Sequence, residues 1–98
     1  MDDMMIPFVE MHDRELASCA LNGCEQAFEE IEKRYYKRLY QTAEAILKEP
    51  ALSDSVTRET FRHARSIFQQ YQYQSLLVVW LVRLVVKMAR EKHRELES

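Results

Sequence analysis

The chain has 98 residues, 47% of them hydrophobic and 31% charged, with one Gly and two Pro; that is enough for one helical core, too little for a second, and poor in the turn residues a β-sandwich or barrel consumes. A formal charge of -2 excludes a global field that draws the chain to nucleic acid, so any such contact has to come from a local patch. A single glycine also excludes a Gly-rich phosphate loop.

Residues 1–12, MDDMMIPFVEMH, carry neither the basic start nor the long apolar stretch of a secretion signal. They read as a loosely attached arm ahead of a domain spanning 13–95, with 96–98 as a tail. Asp13 is placed to cap a short helix that runs to about Leu21, where Asn22 and Gly23 supply a left-handed stop. Cys19 and Cys24 are the only cysteines, and their spacing suits neither a disulfide framework nor a paired-cysteine metal site. Two free thiols in a reducing, cytoplasmic setting are the expectation.

From Glu25 to about Lys48, the residues Phe28, Ile31, Tyr35, Leu39, Thr42 and Ile46 recur at three- and four-residue steps and define one stripe of a long amphipathic helix. Its first turns carry Glu25, Glu29, Glu30 and Glu32, with Lys33, Arg34, Lys37, Arg38 and Lys48 following, an order that complements the helix dipole and sets up i,i+4 pairs. Pro50 stops that helix. Ser53 or Asp54 is the expected cap of a third, ending near Phe68, on which Val56, Thr60, Phe61, Ala64, Ile67 and Phe68 share a face. The stretch QQYQYQS has no Gly or Pro and suits a loop or an extension of either neighbour. A fourth helix is predicted from about Ser75; its valines would also suit a buried strand, but no partner strand exists elsewhere.

On the fourth helix Leu77, Leu81, Leu84, Val85 and Met88 make a core face. On another side Arg83, Lys87, Arg90 and Arg94 follow at steps of four, three and four residues, a basic ridge with Trp80 at its upper edge. Such a ridge can hold phosphates, with Trp80, Tyr71 and Tyr73 as stacking surfaces for unpaired bases; equally, Lys and Arg late in a helix complement its negative end, and Glu91 and Glu95 offset them. Val78, Val79, Val82, Val86 and Ala89 add a second apolar strip, which predicts a partner or a second copy of the chain against it. The run LLVVWLVRLVV, 11 residues with Arg83 inside, falls well short of the ~20 apolar residues of a membrane span.

No Ser-His-Asp or Cys-His arrangement is suggested by spacing, so no catalytic residue, cofactor or metal is assigned. His12, Cys19 and Cys24 are irregularly spaced with no fourth ligand in sight, and His63 and His93 are isolated. Tyr35, Phe61 and Phe68 are expected inside, with Tyr36 and Tyr40 partly exposed.

In order, the strings ALNGCEQAFEEIEKRYYKRLYQTAEAIL, EPALSDSVTRETFRHARSIF and VVWLVRLVVKMAREKHREL resemble region 2 of the bacterial extracytoplasmic-function sigma factors over residues 13 to 95. The resemblance implies an all-α, three- to four-helix bundle that binds core RNA polymerase and contacts the non-template strand of the melted minus-ten promoter element, a binding function without bond-making chemistry. It implies polymerase contact through the helix carrying Ser55, Arg58, Glu59 and Arg62, and DNA contact through Tyr71, Tyr73, Trp80, Arg83, Lys87, Arg90 and Arg94. An anti-sigma protein is a further partner the resemblance implies.

The sequence departs from that pattern at several places. Ser55 stands where the family usually has an acidic residue and Arg58 where it has glutamine, which alters the charge of the docking surface. Lys87 replaces the usual Asn, Leu77 a customary aromatic, and QQYQYQS lacks the usual charges of the base-capturing loop. The second, helix-turn-helix domain of such factors does not follow in this sequence, so either the sequence is a piece of a longer factor or the protein acts without that domain. A second expectation is therefore a relative that keeps the fold as a protein-interaction module, pairing with itself through Val78, Val79, Val82 and Val86, with an anti-sigma protein, or with a subunit supplying the second domain.

Overall fold

Four α-helices follow one another in the computed structural model, which describes residues 7–97: α1 (Asp13–Leu21), α2 (Glu25–Leu47), α3 (Pro50–Ser66) and α4 (Leu77–Glu97). No strand occurs among the described residues, and the valine-rich segment is helical, so the fold is the all-α bundle the periodicity predicts. The long central helix α2 packs against each of the other three.

α1 begins differently from the expectation. His12, in extended conformation, is its cap, and the Glu15 carboxylate accepts the His12 backbone N–H at 2.9 Å. Asp13 is already helical and turns its carboxylate to Arg34 and Tyr35 instead. At the other end the expected stop is present. Gly23 takes φ +92°, Gly23 N–H reaches the Ala20 carbonyl and Cys24 N–H the Cys19 carbonyl, each at 3.0 Å.

The predicted stripe of α2 faces the core. Phe28, Ile31 and Leu39 are buried together with Ala27 and Ala43, while Tyr35, Thr42 and Ile46 sit half-buried along its edge. Lys48 ends the helix in the left-handed region (φ 56°), its N–H bonded to the Glu44 carbonyl at 2.8 Å.

α3 starts a turn earlier than Ser53 or Asp54 would place it. Pro50 is its first residue, where a preset φ and a missing N–H cost nothing, and Glu49 caps it by accepting the Leu52 N–H at 2.8 Å. Ser53 is buried, its hydroxyl within bonding distance of the Glu44 carboxylate (2.8 Å) and the Glu49 carbonyl (2.9 Å). Thr57 and Thr60 are buried too, and each donates its hydroxyl to a carbonyl one turn back, Ser53 and Val56, at 2.7 Å. Those bonds remove the penalty of placing hydroxyls in the core. Phe61 and Phe68 are inside, as expected.

The QQYQYQS segment splits. Phe68–Gln70 form one turn of 3-10 helix, and the chain then loops to α4 through Tyr73, held at φ 60°. α4 therefore starts at Leu77 instead of Ser75, and it runs through Glu97, taking in most of the predicted tail. Its buried residues are Leu77, Trp80, Leu81, Val85 and Ala89; beyond Ala89 none is buried.

The arm is not loose where it is described. Phe8–Glu10 form a 3-10 turn, and Arg34 on α2 donates to the carbonyls of Met11 (2.9 Å), Val9 (3.3 Å) and Phe8 (3.4 Å). The same guanidinium pairs with Asp13 at 3.0 Å and Glu30 at 3.5 Å. One cation thus gathers three carbonyls, of which Phe8 also accepts the Met11 N–H at 3.1 Å. Residues 1–6 lie outside the described residues.

Candidate nucleic-acid interface

Arg83, Lys87, Arg90 and Arg94 are all exposed on one side of α4, as the spacing predicts. They line an open groove together with Val82, Val86 and Glu91. Arg83, Lys87 and Arg90 form no ion pair among the described residues, whereas Lys92 is taken up by Glu95 at 3.4 Å. Three cations without an ion-pair partner among the described residues, with Glu91 as the acidic residue lining the same groove, leave a locally positive patch in a chain of net charge -2.

Two of the three predicted aromatics lie inside the fold instead of at the surface. Trp80 is only 9% exposed and Tyr71 only 4%. Trp80 packs edge-on against Phe68, with ring centroids 5.5 Å apart, and tilts against Tyr71 at 5.3 Å. Phe68 in turn meets Phe28 edge-on at 5.4 Å and stacks with Tyr71 at 5.7 Å. Trp80 and Tyr71 are thus members of an aromatic core and offer no free face to a base. The Tyr71 hydroxyl donates to the Ser75 carbonyl at 2.7 Å, and burial raises its pKa above the ordinary phenol value. Tyr73 remains half-exposed, with one face under the Arg14 guanidinium at 4.3 Å. Arg14, at the start of α1, carried no role in the sequence reading; nothing in its spacing signals that the loop before α4 folds back beneath it.

Ser55, Arg58, Glu59 and Arg62 form an exposed row on α3. Arg58 is engaged by Asp54 one turn earlier, at 2.9 Å. Val78, Val79, Val82 and Val86 are each partly buried, not bare, and Val82 packs on the core. Val82 and Val86 also line the open groove beside Arg83 and Lys87, so this strip is neither bare nor wholly covered. The large apolar side chains that do stand out are Val9, Leu76 and Leu96, scattered at separate places along the chain.

The remaining surface is different in character. A depression between the arm and α2 is lined by Phe8, Gln26, Glu29, Glu30, Glu32, Lys33 and Tyr36, an acidic wall that repels phosphate. Glu25 and Glu32 also hold Arg65 of α3, at 3.6 and 3.7 Å. His12 stands at the opposite end of α1 from Cys19 and Cys24. No helix among the described residues is long and apolar enough to cross a membrane. Set against known proteins, the chain matches no family model, no curated sequence and no solved structure.

Proposed function

We propose that the chain is a sigma factor region 2-like transcription module of the bacterial cytoplasm, which binds core RNA polymerase and contacts the non-template strand of promoter DNA. The reading is supported by one observation above the others: Arg83, Lys87, Arg90 and Arg94 share an exposed face of α4, and the first three have no internal anion to satisfy them. The contact is to phosphates. With Trp80 and Tyr71 inside, Tyr73 is the one member of the predicted aromatic set left at the surface, so base recognition is weak and affinity is governed by salt. Polymerase docking falls to the exposed row of Ser55, Arg58, Glu59 and Arg62.

The test has two arms. In the first, binding of a fluorescent single-stranded oligonucleotide is titrated against salt for the wild type and for Arg83→Ala with Lys87→Ala. The double variant loses affinity, and its log K against log salt slope flattens by about 1.4, roughly 0.7 per phosphate contact removed. An unchanged slope removes DNA from the account. In the second arm, core polymerase is captured on immobilised protein; capture that persists after Arg58 and Glu59 are both replaced by alanine counts against docking through α3.

A second reading, a protein-interaction module that pairs with itself or with an anti-sigma protein, draws on Val82 and Val86 lining the α4 groove among charged residues. Sedimentation separates it: a dimer that forms without any affinity for polymerase or DNA favours this alternative.

A further inference from the structure

The chain's two cysteines flank the turn between α1 and α2. Cys19 is the third residue from the end of α1, and Cys24 follows Gly23, the left-handed residue. Two backbone hydrogen bonds close the turn, Cys24 N–H to the Cys19 carbonyl and Gly23 N–H to the Ala20 carbonyl, both 3.0 Å. This is the Schellman arrangement, in which the side chains at the positions of Cys19 and Cys24 meet across the helix end, normally as an apolar pair. Here both positions carry a thiol. Both cysteines are free and partly exposed, each packed on one side against the hydrophobic core. A disulfide needs Cα atoms about 4.4–6.8 Å apart, a separation that residues joined directly by a backbone hydrogen bond satisfy.

We propose that Cys19 and Cys24 form a reversible disulfide, which makes the α1–α2 turn a site of thiol–disulfide modification. The oxidant is a low-molecular-weight disulfide. One cysteine thiolate attacks it and expels a small thiolate, leaving a mixed disulfide on the protein. The second cysteine thiolate attacks the protein sulfur and expels the other small thiolate. Two cysteine thiols give up two electrons and two protons, and one small disulfide becomes two small thiols. The bond that forms covers the hydrogen bonds already closing the turn, so the backbone is prepared for it, and rotation of two partly exposed side chains completes the approach. The turn is also tied to the rest of the fold: Gln69 donates to the Leu21 carbonyl at 3.1 Å, and Cys24 shares a small cavity with Phe28, Arg65 and Phe68. Closing it therefore stiffens the junction beside the aromatic core.

The full chain is incubated with excess oxidised glutathione, acid-quenched, and alkylated in denaturant before mass measurement. The expected result is the loss of both alkylation sites with no glutathione retained, and recovery of both after reduction. Cys19→Ser and Cys24→Ser each keep one glutathione and form no internal bond, and each variant's circular dichroism shows whether it folds. The internal bond is also formed to a greater extent in the folded chain than in the same chain in urea. Retention of one glutathione on each cysteine, disulfide-linked dimers in place of the internal bond, or equal closure in urea overturns the proposal.

Discussion

Arg34 and Tyr35 are adjacent in sequence and both reach Asp13, which is how a single turn of α2 fastens the start of the chain. The Tyr35 phenol donates to one Asp13 oxygen while Arg34 donates to the other. Burial, reinforced by that hydrogen bond and by the negative charge of Asp13, pushes the Tyr35 pKa up from 10.0 to about 12. A phenol whose pKa is higher in the folded state contributes stability that is whole below pH 10 and is lost as pH rises through about 12, because the unfolded chain ionises first. The melting temperature of the wild type therefore falls between pH 10 and 12 more steeply than that of Tyr35→Phe. Parallel curves for the two proteins contradict this account. Little of the cluster was legible in advance. Asp13 looked like a cap because its residue type favours that position; His12 took the position since Glu15 could bond back to it, leaving the carboxylate of Asp13 for a partner 21 residues away. Local propensity carries no information about partners that distant.

At the scale of elements, the strongest local signals in the sequence were conformational. Asn22 and Gly23 ended α1 where expected, and Gly23 adopts φ +92°, a region that disfavours any side chain. A Cβ there would meet nothing within 4 Å, so the cost of Gly23→Ala is backbone strain alone, about 1–2 kcal/mol, measurable by urea denaturation. A variant as stable as the wild type would mean the turn relaxes out of its left-handed geometry. The α2 stripe and the α4 basic row were equally legible, because a helical period fixes which residues share a side regardless of what packs there. Pro50 reads as a stop, and α2 does end just before it, at Leu47; the Glu49 cap makes the same residue the start of α3 as well, which the fixed φ and missing N–H of proline allow equally.

Across the whole molecule, Phe28, Phe68, Tyr71 and Trp80 come from α2, the 3-10 turn, the loop and α4 to form one aromatic cluster. Phe68 is its hub, 4% exposed and in contact with the other three rings. Phe68→Ala removes all three contacts and leaves a cavity, a loss of about 3–5 kcal/mol. That is a large share of a small domain's stability of about 5–15 kcal/mol. Calorimetry should show a strongly lowered melting temperature; a shift of only a degree or two would contradict the hub role. The cluster also explains why the stacking surface predicted on Trp80 and Tyr71 does not exist. A helical wheel shows which way Trp80 points, but it cannot show that the glutamine-rich segment wraps over that side and covers it. Periodicity resolves faces within one helix, whereas cover supplied by an irregular segment is a long-range property with no sequence period.

The last residue of α4 to be buried is Ala89, and the helix nonetheless continues to Glu97. Two turns of rod overhang their foundation, braced by the contacts of Lys92 with Glu95 and His93 with Glu97. These turns need no nucleus of their own, because they extend a helix already formed over Leu77–Ala89, and only Lys92 and His93 among them are partly buried. The last core contact and the last helical residue of α4 therefore do not coincide, and the outer turns rest on side-chain pairs that salt screens.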